Sequence, residues 1–196
     1  MGTYLGASER LVFNSDFIEV ANNSKILFSE GYQFTSDENF SAFLSILKGT
    51  ERTTKLALSL SDPGVVQTFK SRFKEVFNMR KVDYLFCNKE EAISLVGENF
   101  VKDLSSLAVN YVVTNGAESS YISEEGSYAE IKAKSVKAID SNGAGDIFAG
   151  AALNKIIEGD SFLNACEFGN YASSMIVQEK SPRLSIDQYK KLKADY

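Results

Sequence analysis

The chain reads Asp140-Ser141-Asn142-Gly143-Ala144-Gly145-Asp146 and then runs straight into the apolar-periodic stretch IFAGAALNKII. Small residues at 143 to 145 let the backbone turn tightly and present N–H groups at a helix start, where the macrodipole favours an anion. That combination suits a phosphate. Asp146 falls in the first helical turn beside such an anion, near enough to take a proton from an attacking hydroxyl. A plainer reading also stands: acids are favoured at helix starts whether or not a ligand binds there.

Two further segments carry usable polar groups. Asn88-Lys89-Glu90-Glu91 follows the apolar run DYLFC and opens a helical pattern. The spacing of Asn88 and Glu91 puts them on one face, where together they could hold the water shell of Mg²⁺. The alternative is a helix cap with Asn88 at N-cap and Glu91 at N3, close to a capping box. Glu90 is expected to face solvent. Thr114-Asn115-Gly116 ends another apolar run, and its glycine would permit close approach of a nucleotide or simply make a strand-to-strand turn.

These segments must be positioned by a scaffold, and the pattern around them predicts an α/β fold. Short runs rich in β-branched and aromatic residues alternate with stretches of helical period, as in a parallel sheet covered by helices. Strands are expected at Thr3 to Ala7, Lys25 to Ser29, Lys55 to Leu60, Val82 to Cys87, Tyr111 to Thr114, Ser120 to Ser123 and Tyr128 to Ala133. The last two flank Glu124-Glu125-Gly126 and suggest an antiparallel hairpin. Helices are expected at Asp37 to Leu47, Pro63 to Asn78, Lys89 to Leu95, Gly145 to Glu158, Phe162 to Gln178 and Ile186 to Lys193. Asp62 before Pro63 reads as an N-cap, and Phe69, Phe73 and Phe77 give the following helix one apolar stripe. In such sheets ligands bind at the carboxyl ends of the strands, where all three polar segments fall.

Composition narrows the chemistry. At 196 residues the chain is long enough for one compact domain at about 150 residues per domain, and no internal repeat or linker divides it. With 21 basic against 26 acidic residues and no basic block, nucleic acid is an unsuited partner. No apolar run approaches the ~20 residues of a membrane helix, which predicts a water-soluble chain without a membrane partner. There is no histidine, so imidazole bases and His-based triads are excluded. Cys87 and Cys166 lack metal-type spacing, and Cys87 after Tyr-Leu-Phe reads as a small buried hydrophobe. The N-terminus lacks the pattern of a secretory signal, which makes a reducing cytoplasm the expected compartment.

Taken in order, DSNGAGDIFAG, NKEE and TNG resemble the signatures of the ribokinase-like (PfkB) carbohydrate kinase family. TYLGAS, the Glu30 to Tyr32 triplet and LALSLSDP followed by DYLFCNKEEA look most like its adenosine kinase-like branch. The resemblance implies a three-layer ribokinase-like α/β fold with a mostly parallel central sheet, matched here only in the family's C-terminal portion, with the N-terminal portion and lid missing. It implies ATP-dependent phosphoryl transfer to a hydroxyl of a sugar or nucleoside, carried out here by the nucleotide-binding and catalytic part. An inactive nucleotide-binding remnant, or one chain of a split kinase, is the alternative.

Residue by residue, the resemblance implies that Asp146 is the catalytic base and that Gly143, Ala144 and Gly145 form the anion hole. Thr114 and Gly116 match the nucleotide-binding turn, with Asn170 near the adenine. Asn88 and Glu91 match the pair associated with Mg²⁺, acting through water, while Asp140 and Asn142 fall where members form a monovalent-cation (K⁺) site. ATP and Mg²⁺ are the implied cofactors and a small sugar or nucleoside the implied substrate. A homo-oligomer, or a complementing N-terminal chain, would supply what the family's first portion supplies. Two departures stand out: Ser119 replaces a second glycine after Gly116, and Ser181-Pro182 replaces a Gly-Ala pair.

Overall fold

A computed structural model describes Gly6 and residues 13–194, which fall into two compact units, Met1–Val109 and Asn110–Tyr196. The expected strand at Thr3 to Ala7 lies outside the described residues, apart from Gly6.

In the first unit, helix α1 (Asp16–Asn22) precedes strand β1 (Ile26–Glu30), a short 3₁₀ turn and helix α2 (Asp37–Gly49). Strand β2 (Lys55–Ser59) leads into helices α3 (Pro63–Thr68) and α4 (Lys70–Met79), then β3 (Val82–Asn88), α5 (Lys89–Val96) and the single turn α6 (Phe100–Asp103). The three strands are parallel, with Ile26 opposite Lys55 and Ala57 opposite Tyr84. Leu56, Ala57 and Leu58 are buried in succession, so β2 is covered on both faces, as a parallel strand flanked by helices must be.

Local signals set the helix starts. Ser36 accepts the Asn39 N–H at the start of α2, and Asp62 accepts the Val65 N–H ahead of Pro63 at the start of α3. The continuous helix expected from Pro63 to Asn78 is interrupted at Phe69, whose φ of −108° and ψ of 26° leave the α region. The cause is long-range. The Arg72 guanidinium lies 5.0 Å from the Phe69 ring and 5.2 Å from the Phe40 ring, donates to the carbonyls of Phe34 and Ser36, and pairs with Asp37. Phe69 therefore stays half-buried against this cation, while Phe73 and Phe77 enter the core. Phe34 is fully buried among Phe40, Phe43 and Phe73 at ring separations of 4.8 to 5.4 Å.

In the second unit, β4 (Ala108–Thr114, entered from the first unit), β5 (Ser119–Glu124) and β6 (Ser127–Lys132) form an antiparallel meander, with Val112 opposite Ile122 and Ile122 opposite Ala129. The β5–β6 turn has Glu125 at φ 50° and Gly126 at φ 88°, both left-handed, the backbone that a two-residue hairpin requires. Helices α7 (Ala144–Glu158), α8 (Phe162–Ile176) and α9 (Ile186–Ala194) complete the unit. A Cβ on Gly169 would meet the Phe148 carbonyl at 2.9 Å, so glycine is what lets α8 approach α7. Ile147, Phe168, Ala172, Ile176, Leu184 and Leu192 form the apolar seam beneath them. Glu124, at the end of β5, accepts the Phe162 N–H at 2.6 Å and so fixes the start of α8 to the sheet.

Candidate functional site

Helix α7 starts where the sequence predicts. Gly143 is its N-cap in the left-handed region (φ 79°), and a Cβ there would lie 2.6 Å from the Pro182 carbonyl oxygen. Only glycine fits. The loop ahead is anchored from behind, because the Val177 carbonyl accepts the N–H groups of Ile139 (2.7 Å) and Asp140 (3.2 Å). The Ala144 N–H turns back onto the Ser141 carbonyl (3.2 Å), whereas the N–H groups of Gly145 and Asp146 belong to the turn that a helix leaves without acceptors of its own. Asp146 is exposed, and among the described residues its carboxylate makes no hydrogen bond or ion pair. An uncommitted carboxylate beside bare N–H groups is the arrangement that both a general base and a plain helix-start acid would show.

A cleft of about 420 Å³ opens beside this start. Thr114, Gly116, Ala144, Gly145 and Asn170 all line it, so five of the residues singled out from sequence converge on one space. Its size suits a nucleoside-sized ligand. Gly116 turns at φ 57° with open space where a Cβ would stand. The cleft is also lined by residues that the motifs did not mark, among them Ser120, Lys134, Ser173, Ser174 and Val177. A signal for three of these positions was available, since Ser173, Ser174 and Val177 recur with Asn170 at helical spacing along one face of an otherwise apolar segment. Ser173 donates to the Ala144 carbonyl at 2.8 Å, tying α8 to the first residue of α7. Asn170 donates to the Lys132 carbonyl at 2.9 Å, tying α8 to the end of β6.

Gly143, Asp146, Asp140 and Asn142 are next to this cleft in sequence but are not among its lining residues. Both Asp140 carboxylate oxygens face Asn142, which donates its backbone N–H at 3.0 Å and its amide at 3.3 Å. The pair is explained as a local turn, and among the described residues nothing in its geometry demands a cation.

In the first unit, Asn88 and Glu91 form a complete capping box. Asn88 Oδ1 accepts the Glu91 N–H at 2.8 Å, while the Glu91 carboxylate accepts the Asn88 N–H at 3.0 Å and the Asn88 amide at 2.8 Å. Glu91 is 5% exposed. Burial pushes its carboxyl up to about 7, against the lowering effect of the Asn88 N–H and with help from the charges of Asp62 and Glu90. Among the described residues no three acidic, Cys or His groups gather to hold a metal ion. The box already engages the Asn88 amide and both Glu91 carboxylate oxygens, which leaves only their remaining lone pairs for a hydrated cation. Glu90 is exposed, as expected.

The parallel strands, the meander and the helices that cover them define an α/β protein with a cleft beside the start of α7. The pfkB family carbohydrate kinase model matches residues 3–188, and the chain belongs to that family. Adenosine kinase 1 of Arabidopsis thaliana is 28% identical over 140 residues, covering 62% of this chain and 40% of that protein. The crystal structure of adenosine kinase from Sinorhizobium meliloti superposes with a TM-score of 0.83 at 23% identity, over 91% of this chain and 57% of that one. An E. coli ribokinase II candidate, solved in complex with ATP and Mg²⁺, gives 0.77 at 12% identity, over 91% and 61%. The fold is thus ribokinase-like, and the chain spans between about two fifths and three fifths of the length of these relatives. Among the described residues no helix is long and apolar enough to cross a membrane.

Proposed function

We propose that this chain carries the nucleotide-binding and catalytic part of a kinase that transfers a phosphoryl group from ATP to a hydroxyl of a sugar or nucleoside. One observation carries the reading. The helix start with its uncommitted N–H groups, the Thr114–Gly116 turn and the polar face of α8 bound a single cleft of nucleoside size. In this reading the Gly143 to Gly145 backbone receives the transferring phosphoryl group and Asp146 takes the acceptor proton. Thr114 and Gly116 pass close to the nucleotide, and Asn170 stands near its base. Asn88 and Glu91 would hold Mg²⁺ through water. Asp140 and Asn142 would offer their remaining lone pairs to a monovalent cation such as K⁺. Cys87 and Cys166 are both buried free thiols, in keeping with a cytoplasmic setting.

A second reading is an inactive nucleotide-binding remnant or one chain of a split kinase. In a split kinase, a homo-oligomer or a complementing N-terminal chain would supply further substrate contacts. The test combines ATP titration with an assay for phosphorylated adenosine or ribose, using wild type and Asp146→Asn. Binding with product that the variant fails to make supports the kinase. Binding without product supports the second reading, and absence of ATP binding contradicts both.

A further inference from the structure

Lys134 is the only charged side chain among the residues that line the cleft; the others contribute hydroxyls, one amide, backbone and apolar surface. Its ammonium sits 3.8 Å from the centroid of the Tyr171 ring, and among the described residues it makes no ion pair. Held against a ring face rather than a carboxylate, it has no neutralising partner and loses much of its freedom to wander. Its place relative to the α7 start follows from α8. Asn170 binds the carbonyl of Lys132, two residues before Lys134, and Ser173 binds the carbonyl of Ala144. Asn170 and Ser173 are three residues apart, about 4.5 Å along a helix, so the Lys132 carbonyl and the first residue of α7 meet α8 less than one turn apart, and Lys134, two residues beyond Lys132, lines the same cleft.

We propose that Lys134, held by Tyr171, is the residue through which the cleft discriminates nucleotides by the charge of their phosphate tail. This rests on the reading of the cleft as a nucleotide site. The chain carries a net charge of −5, so a polyanion approaching the cleft meets an unfavourable overall field. The helix start offers partial charges only. A single ammonium inside a cleft of this size lies within about a Debye length of every phosphate on a bound nucleotide, so its contribution grows with the number of phosphates and falls with salt. Tyr171 is thereby a positioning residue for Lys134.

The test is isothermal titration of the full chain with ATP, ADP, AMP and adenosine in magnesium-free buffer at low salt, repeated for Lys134→Ala, Lys134→Arg and Tyr171→Leu. Lys134→Ala should weaken ATP about tenfold, ADP and AMP progressively less, and adenosine less than about twofold. Lys134→Arg should restore most of the loss, and Tyr171→Leu should weaken ATP about threefold with the same grading. Because Lys134 is exposed, its variants should melt with wild type. An equal loss for ATP and adenosine, no loss for ATP, or failure of arginine to restore binding would overturn the assignment while leaving the nucleotide site standing. A wild-type chain that binds none of the four overturns the nucleotide reading itself, and this proposal with it.

Discussion

Asp146 and Glu91 are both acids in the first turn of a helix, yet their surroundings give them opposite properties. Asp146 is exposed with an uncommitted carboxylate, as a proton acceptor needs to be. In an active preparation, Asp146→Asn should leave ATP binding nearly intact and cut turnover about 10²–10⁴-fold; a variant that keeps most of its rate would return Asp146 to the role of a helix-start acid. Glu91 is buried, and its carboxyl is raised to about 7 from an ordinary 4.5. The folded state therefore holds the proton more tightly than the unfolded one. The stability this provides is present in full below about pH 4.5 and is lost as pH rises towards 7. Thermal melts in magnesium-free buffer at pH 5 and pH 8 should thus show wild type losing more stability than Glu91→Gln over that interval; equal losses would contradict the shift. The capping box was legible, because Asn and Glu at that spacing after an apolar strand have few alternatives. The raised Glu91 pKa was not, because burial is set by tertiary packing and the charge of Asp62, which adds to the shift, comes from a residue distant in sequence.

At the scale of elements, the strands and most helices could be read from local pattern, since caps such as Asp62-Pro63 and Ser161 act within a turn. The break at Phe69 could not. Its phenylalanines keep a four-residue spacing that predicts one helix, and the decisive contact is Arg72 reaching the carbonyls of Phe34 and Ser36, more than thirty residues away. Helix α1 was also missed. It has no side-chain cap bond, and Ala21 is its one buried residue, so it carries no clear amphipathic signal. The loop before α7 yields the sharpest prediction at this scale. Gly143→Ala places a Cβ 2.6 Å from the Pro182 carbonyl and forces alanine into the left-handed region. The two penalties together should cost about 2 kcal/mol or more and weaken ATP binding through the displaced helix start. Chemical denaturation and ATP titration of the variant would check this, and an unperturbed variant would show that the loop yields at no cost. The backbone carbonyl of Pro182 is thus what makes glycine obligatory at 143.

At the scale of the whole molecule, the family match runs across both units, whereas the residues that bound the cleft all come from the second. In the first unit Phe13, Phe17, Val20 and Phe28 are exposed, and among the described residues β1 pairs on one side only, with β2. An open strand edge with apolar neighbours tends to be covered. If the proposed homo-oligomer covers such an edge, light scattering of the purified chain gives a mass of at least two copies, and a monomer stable across concentration would contradict it. The central claim is narrower, and a crystal structure of the chain with a non-hydrolysable ATP analogue and Mg²⁺ tests it most directly. The account predicts the nucleotide in the second unit's cleft, with its phosphates at the Ala144–Gly145 start of α7 and its base towards Asn170. A nucleotide bound elsewhere, or a cleft that stays empty at saturating analogue, would contradict it.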